Sequence, residues 1–194
     1  MPKLAFPKRH KHADVRSREY LTETEVDRLR KAARSVGRHG LRNDTMILLA
    51  YRHGLRVSEL IALRWEQFDL DQGFFHVRRL KRGVPSTHPL TGGEIRALRR
   101  LKNASPDSAS VFVSERKGPL TDSSVRKMIA QAGELAELGF PVHPHQLRHG
   151  CGYKLANDQH DTRAIQLFLG HTNIQHTVKY TELAAGRFQN FWRD

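Results

Sequence analysis

The segment from Val142 to Thr181, VHPHQLRHGCGYKLANDQHDTRAIQLFLGHTNIQHTVKYT, decides how the rest of the chain is organised. It combines arginine, several histidines and a tyrosine with aliphatic residues that recur at helical spacing. Guanidinium groups bind anions, while imidazole and phenol groups transfer protons or act as nucleophiles. In a basic protein this combination predicts a phosphate-binding site that contains a nucleophile.

Helix signals divide this segment into parts. Pro144 fits the first turn of a helix, where its missing amide hydrogen costs nothing, and that helix would carry His145 and Arg148 on one face. The elements expected after it are a helix over 162–169, its C-terminal cap Gly170, His171 in the next turn, a short helix over 174–178 capped by Asn173, and then Tyr180.

Length and charge limit what the chain can be. Its 194 residues suffice for one well-buried domain, and its formal net charge is +13. Such an excess of Lys and Arg favours a polyanionic partner, and nucleic acid is the expected one for a chain without a membrane-spanning stretch. Charge alone does not separate an enzyme from a packaging protein.

Composition also indicates a compartment. No apolar run is long enough to span a bilayer, and the N-terminus, MPKLAFPKRHKH, lacks the apolar core of a secretion signal. The single cysteine, Cys151, cannot form an internal disulfide bond, which fits a reducing environment, and we interpret it as a packing residue. We therefore expect a cytoplasmic protein.

The remaining pattern predicts an α+β fold that is mostly helical. Residues 1–20 are basic and lack apolar periodicity, so we expect a flexible arm, followed by one domain over 21–194. Thr22 and Glu25 have the spacing of a capping box at the start of the first helix, and Thr91 and Glu94 have the same spacing at the start of the helix over 91–102. The other expected elements are helices over 42–52, 57–63, 91–102 and 121–138, and strands of a three-stranded antiparallel sheet at 74–78, 86–90 and 111–113.

Two positions outside the central segment are candidates for phosphate chemistry. Arg56 lies just before a helix start, where its guanidinium and the helix amides are well placed to hold a phosphate oxygen. Glu59, three residues on, can orient Arg56, although an ordinary ion pair within the helix would have the same spacing. Lys81 is expected near a hairpin tip, from which its flexible stem can reach into a groove or simply lie on the surface.

Alternatives to catalysis exist for the central segment. His143, His145 and His149 have a spacing that zinc sites use, but no Cys pair or acidic residue at ligand spacing accompanies them. The helix-turn-helix pattern of residues 161–180 permits DNA docking without chemistry.

The residue inventory favours catalysis on a phosphodiester. When a tyrosine oxygen attacks phosphorus, negative charge grows on the non-bridging oxygens, and Arg56 and Arg148 are natural groups to stabilise it. A histidine can take the phenol proton and a lysine can protonate the departing 5′ oxygen. No metal or nucleotide cofactor is then required.

In order and spacing these residues resemble the motifs of the tyrosine recombinases, the phage-integrase family that includes the Xer and Cre enzymes. The resemblance covers about residues 20–194, and five motifs in the correct order make it specific. They are Gly54-Leu55-Arg56-Val57-Ser58-Glu59-Leu60, the hairpin Lys81, His145-Gln146-Leu147-Arg148-His149, Leu169-Gly170-His171, and Tyr180 nine residues beyond His171.

Other details resemble the short Fim-type recombinases, which invert fimbrial promoter segments and carry no separate N-terminal core-binding domain. These details include His149-Gly150-Cys151-Gly152 and Asp161-Thr162-Arg163. The resemblance therefore implies a site-specific DNA recombinase that performs inversion or integration and excision. A type IB topoisomerase-like enzyme and a non-catalytic DNA-binding regulator are the alternative functions.

The resemblance also implies a role for each candidate residue. Tyr180 would be the nucleophile that forms a 3′-phosphotyrosine link, with Arg56 and Arg148 on the scissile phosphate and Lys81 as the general acid. The other implied roles are proton transfer for His145, a hydrogen bond to the phosphate for His171 and support of the site for Glu59. We interpret the other histidines of the segment from Val142 to Thr181 as packing residues or DNA-backbone contacts: His143, His149, His160 and His176.

The implied partner is double-stranded DNA with inverted-repeat sites. The resemblance implies a homotetramer on two such sites, a monomer off DNA and accessory DNA-bending proteins. A C-terminal helix would carry Phe188, Phe191 and Trp192 on one face, suited to docking on a neighbouring protomer or on its own domain.

Overall fold

Eight α-helices and three strands make up the part of the chain that the computed structural model describes, which is residues 19–80, 83–182 and 184. The helices are α1 (Glu23–Ala33), α2 (Gly40–Arg52), α3 (Val57–Ile61), α4 (Gly92–Ala104), α5 (Asp122–Leu135), α6 (Pro144–Asn157), α7 (Thr162–Leu169) and α8 (Gln175–Glu182). The strands are β1 (Phe68–Asp69), β2 (Phe74–Val77) and β3 (Ser86–Pro89). The predictions for most of the arm, for Lys81 and for the aromatic C-terminal face lie outside the described residues.

Side-chain caps begin α1 and α4 at the predicted residues. The Thr22 amide donates to the Glu25 carboxylate at 2.8 Å, and the Thr91 amide donates to the Glu94 carboxylate at 2.8 Å. Each carboxylate satisfies an amide that has no partner within its helix and also lies at the positive end of the helix dipole. The predicted capping boxes are confirmed.

The main core forms around α2, whose residues from Asn43 to Tyr51 are all buried. It packs against α1, α4 and α6, and α1 also packs against α5. Val26, Leu29 and Ala33 supply the buried face of α1, as their spacing predicts. Among the described residues, no helix has both the length and the apolar character needed to cross a bilayer.

The small sheet is antiparallel in the order β1-β2-β3, and its third strand is not the predicted one. Phe68 and Asp69 of β1 pair with Phe75 and Phe74, whereas residues 110–113 form only isolated bridges, Arg64 with Ser110 and Val113 with Pro119. Val111 and Phe112 are buried, but in the main core. A short turn brings β1 beside β2, so the local pairing forms at little entropic cost, and the prediction of a strand at 111–113 is wrong.

A second, smaller core joins α6, α7 and α8 and contains Tyr180. Asn173 caps the last helix as predicted, because its side chain accepts a hydrogen bond from the Gln175 amide at 2.9 Å. The helix α8 runs on to Glu182, however, so Tyr180 lies within it instead of after it. Helix packing therefore sets the position of the Tyr180 ring.

Candidate active site

The turn between α2 and α3 places Arg56 at the edge of a cleft. Gly54 adopts φ +56°, and a Cβ atom there would lie 2.4 Å from Cδ2 of Leu169, so the turn requires glycine. Arg56 is the N-terminal cap residue of α3. It lines a cleft of about 230 Å³ together with Ser58 and His145, among others.

Glu59 holds Arg56 through two contacts. Its carboxylate accepts the Arg56 backbone amide at 2.9 Å and the Arg56 guanidinium at 2.8 Å. The Glu59 side chain is 1% exposed, whereas the Arg56 side chain is 26% exposed. The contact is thus an ion pair within one helix turn, and it also orients a partly open guanidinium.

Arg79 is a buried part of the site that the sequence analysis missed. Its guanidinium donates to the Glu59 carboxylate at 3.0 Å, to the His53 carbonyl at 3.1 Å and to the Phe168 carbonyl. A signal for it existed, since Phe75 and Val77 face inward on β2 and the next inward position is Arg79. The guanidinium ties the sheet to the ends of α2 and α7.

Charge compensation keeps Glu59 ionised. Burial by itself would raise the pKa of Glu59, but the Arg56 amide and the guanidinium groups of Arg79 and Arg56 outweigh burial and lower the pKa. The carboxylate therefore remains an acceptor for both arginines at neutral pH.

Arg148, on the buried side of α6, is anchored by main-chain oxygens. It donates to the Leu169 carbonyl at 2.8 Å and to the Gly54 carbonyl. Burial, followed by the charges of Arg56 and Arg79, lowers its pKa to about 10, so it remains a cation at neutral pH. The guanidinium groups of Arg148 and Arg79 both donate to the Gly54 carbonyl, so the two cations lie close together at the turn between α2 and α3.

His171 follows α7, where Gly170 forms the predicted left-handed cap at φ +67°. Its Nδ1 atom lies 2.8 Å from the Thr177 hydroxyl, and its ring lies nearly parallel to that of Tyr180, with planes 20° apart and centroids 6.4 Å apart. Burial, followed by the charges of Arg148 and Arg56, lowers the pKa of His171 to about 3. The imidazole is consequently neutral in the absence of a bound anion.

Tyr180 is 1% exposed and makes a hydrogen bond to a histidine. Its hydroxyl oxygen lies 2.8 Å from Nδ1 of His149. Burial raises the pKa of Tyr180, so the phenol carries its proton. The interpretation of His149 as a packing or DNA-backbone residue did not include this hydrogen bond. No local signal could have revealed the contact, since the two residues lie 31 positions apart and meet only through the packing of α6 on α8.

The other predicted positions are placed differently. His145 is exposed, whereas Arg148, three positions later on α6, is buried. The ring centroids of His145 and His149 lie 6.3 Å apart. Lys81 lies outside the described residues. Within the part of the chain that the structure describes, no three His, Cys, Asp or Glu side chains are grouped so that they could hold a metal ion.

Comparison with known proteins gives the same family as the motifs. The family model of the phage integrase family matches residues 19–187. The type 1 fimbriae regulatory protein FimB of Escherichia coli K12 is 42% identical over 185 residues, which cover 93% of this chain and 92% of the relative. The tyrosine recombinase XerC of Halalkalibacterium halodurans is 32% identical over 185 residues, covering 90% of this chain and 61% of XerC.

Solved structures share the fold. The crystal structure of XerA recombinase superposes with a TM-score of 0.75 at 28% identity, covering 89% of this chain and 63% of that one. XerH site-specific recombinase in its post-cleavage complex gives a TM-score of 0.74 at 20% identity, covering 89% and 52%. The chain thus spans less than two thirds of these solved proteins. With the family model matching most of its length, the chain belongs to the phage integrase family, the family of the tyrosine-type site-specific DNA recombinases.

Proposed function

We propose that this recombinase cuts and rejoins DNA through a 3′-phosphotyrosine link formed by Tyr180. The observation that carries the proposal is the convergence of groups from separate parts of the chain. Arg56 comes from the turn after α2, Arg148 from α6, and His171 and Tyr180 from the segment around α8. The charges of Arg148 and Arg56 both lower the pKa of His171, and the charge of Arg148 also acts to lower the pKa of Tyr180. These effects support the proposal that the four side chains share one electrostatic environment.

The proposed phosphate ligands are Arg56 and Arg148. Attack on phosphorus places additional negative charge on the non-bridging oxygens, and fixed cations stabilise that charge without reorganisation. Arg148 is fixed by backbone carbonyls and Arg56 by buried Glu59, so both are organised before DNA binds. His171, neutral and beside them, would add a hydrogen bond to the same phosphate.

The remaining proposed roles concern protons and partners. Lys81 would protonate the departing 5′ oxygen, and His145, at the mouth of the Arg56 cleft, would assist proton transfer. The polyanionic partner would be double-stranded DNA with inverted repeats, which the net charge of +13 supports. We propose a homotetramer on two sites, acting in the bacterial cytoplasm, and DNA inversion as its reaction, by similarity to the fimbrial regulatory relatives.

A nicked suicide duplex tests the nucleophile. Duplexes are made from inverted repeats in the DNA that flanks the coding region, and covalent protein–DNA complexes are counted on denaturing gels. Wild type should accumulate the complex, and Tyr180→Phe should form none because it lacks the attacking oxygen. Tyr153→Phe is the matched control, since its ring packs edge-on against Tyr180 at 5.0 Å. Equal trapping by wild type and Tyr180→Phe would rule out Tyr180.

The same assay separates the alternative functions. Relaxation of a supercoiled plasmid that lacks the repeats would favour a topoisomerase-like activity. Specific binding of the duplexes without any covalent complex would favour a DNA-binding regulator.

A further inference from the structure

We propose that His149 is a catalytic residue that accepts the phenol proton of Tyr180 during attack on DNA. The proposal rests on the nucleophile proposed above and adds a group to which the motif resemblance gives no role. It begins from direct contact with the reacting atom, because Nδ1 of His149 lies 2.8 Å from the Tyr180 hydroxyl oxygen.

Packing fixes this contact. The Tyr180 ring is buried, meets Tyr153 edge-on at an interplanar angle of 83°, and lies so close to Gly152 that a Cβ atom there would be 2.7 Å from ring carbons. Gly152 and Tyr153 belong to α6, the helix that also carries His149. One helix therefore supplies both the surface that holds the ring and the group that holds its hydroxyl.

Both partners of this hydrogen bond are neutral before DNA binds. Burial, followed by the charge of Lys179, lowers the pKa of His149 to about 3, so the imidazole is neutral. Burial keeps the Tyr180 phenol protonated, as described above. In the tautomer that carries its proton on Nε2, His149 accepts the phenol hydrogen at an unprotonated Nδ1, which is the arrangement that a general base requires before transfer. A bound phosphodiester adds negative charge nearby and would raise the proton affinity of His149.

His145 and His149 have different surroundings although one helical turn separates them. His145 is exposed and lines the cleft beside Arg56, where a phosphate would lie. His149 is partly buried and contacts the Tyr180 hydroxyl. The geometry thus favours His149 as the group that accepts the phenol proton, and it places His145 on the side of the cleft that would face DNA.

The step balances in atoms and charge. The bond from the Tyr180 oxygen to phosphorus forms while the bond from phosphorus to the 5′ oxygen breaks, and the electron pair leaves with that oxygen. The phenol proton moves to Nδ1 of His149, giving an imidazolium. The 5′ oxygen takes its proton from the general acid proposed above, Lys81. In the rejoining step both protons return.

Two variants and two substrates test the proposal. His149→Asn retains an acceptor oxygen near the position of Nδ1 but binds no proton, and His149→Ala removes both functions. On the nicked duplexes described above, both variants should cleave about 100-fold or more slowly than wild type, the usual range for general base catalysis. A matching duplex with a 5′-bridging sulfur has a leaving group that needs no proton. It should restore cleavage by Lys81→Ala but not by either His149 variant.

Controls separate chemistry from folding and binding. His76→Ala, at an exposed histidine of β2 to which no role in binding or catalysis is assigned, should cleave at the wild-type rate, and all variants should shift the duplex on native gels. His149→Asn keeps a polar acceptor at the contact and removes less of the side chain than His149→Ala does, so it carries the test even where His149→Ala loosens α8. Tyr180→Phe is assayed in parallel. If Tyr180 is not the nucleophile, this variant will still form the covalent complex, so that result is distinguished from a failure of the role proposed for His149.

Several results would overturn the proposal. Wild-type cleavage by His149→Asn would show that the residue only positions the hydroxyl. Faster cleavage by either variant would show that His149 restrains Tyr180. Rescue of the His149 variants by the 5′-bridging sulfur would assign His149 to the leaving group.

Discussion

Arg79 has a full charge inside the protein, and the carboxylate of Glu59 is the acidic group that compensates it. Both side chains are essentially unexposed, so removing Arg79 leaves the buried Glu59 carboxylate with the partly exposed Arg56 as its remaining ion-pair partner. Loss of one member of such a pair costs about 3–5 kcal/mol. We therefore expect Arg79→Leu to lower the free energy of unfolding by about that amount in urea titrations at neutral pH.

Arg78→Leu is the matched control for this prediction. Arg78 is the preceding residue, but its ion pair with Glu66 is solvent-exposed, with side-chain exposures of 68% and 58%. Pairs of this kind contribute about 0–1 kcal/mol. Similar losses for both variants would contradict the conclusion that burial makes the Arg79 pair important.

Single residues of the site were predictable to the extent that their partners are local. Arg56 and Glu59 lie three positions apart, so helix geometry alone brings them together, as observed. Arg79 lies 20 positions from Glu59, and the contact depends on where the sheet packs. The bond between His149 and Tyr180 spans two helices, so sequence spacing contains no information about it.

At the scale of elements, the contact between α6 and α8 depends on Gly152. An alanine Cβ would lie 2.7 Å from the Tyr180 ring, which forces α8 outward. Alanine normally stabilises a helix interior by about 1 kcal/mol relative to glycine, but overpacking costs about 1–3 kcal/mol. We expect Gly152→Ala to be net destabilising in thermal unfolding and to reduce covalent trapping, because Tyr180 moves away from His149.

Gly93→Ala, in α4, is the control for this substitution. Its Cβ would meet nothing closer than 3.9 Å, so helix propensity should dominate and stability should stay unchanged or rise. If Gly152→Ala is as stable as Gly93→Ala, then α8 can move away from α6 without a loss of folding free energy, which would contradict this prediction.

Elements with strong local signals were predicted well, and elements set by long-range packing were not. The capping boxes of α1 and α4 join residues three positions apart, and both helices begin where expected. The apolar run at 111–113 looks like a strand, but the same residues suit any buried position, and they pack in the main core. Two-residue β1 is too short for an alternating pattern to reveal.

At the scale of the whole molecule, three histidines in different parts of the fold are kept in the neutral form by full or partial burial. They are His88 on β3, His149 on α6 and His171 after α7, and burial is the main reason that each pKa is lowered to about 3. The unfolded chain takes up these protons near pH 6.5, while the folded protein resists them until near pH 3. These histidines therefore leave the free energy of unfolding unchanged above about pH 6.5 and lower it progressively as the pH falls below that value.

Acid unfolding should be steep for this reason. Each such histidine contributes a loss of at most about 1.4 kcal/mol per pH unit, so the three together approach roughly 4 kcal/mol per unit below pH 6.5. Against a total stability of about 5–15 kcal/mol, this predicts cooperative unfolding in mildly acidic buffer, measured by circular dichroism and urea titration from pH 7 to pH 4. His88→Gln removes one of the three groups and should reduce the slope by about a third, whereas His160→Gln, at an exposed position, should leave it unchanged. A stability that stays flat between pH 6.5 and pH 4.5 would mean that these imidazoles take up protons in the folded state, which would also remove the neutral Nδ1 atom that the role proposed for His149 requires.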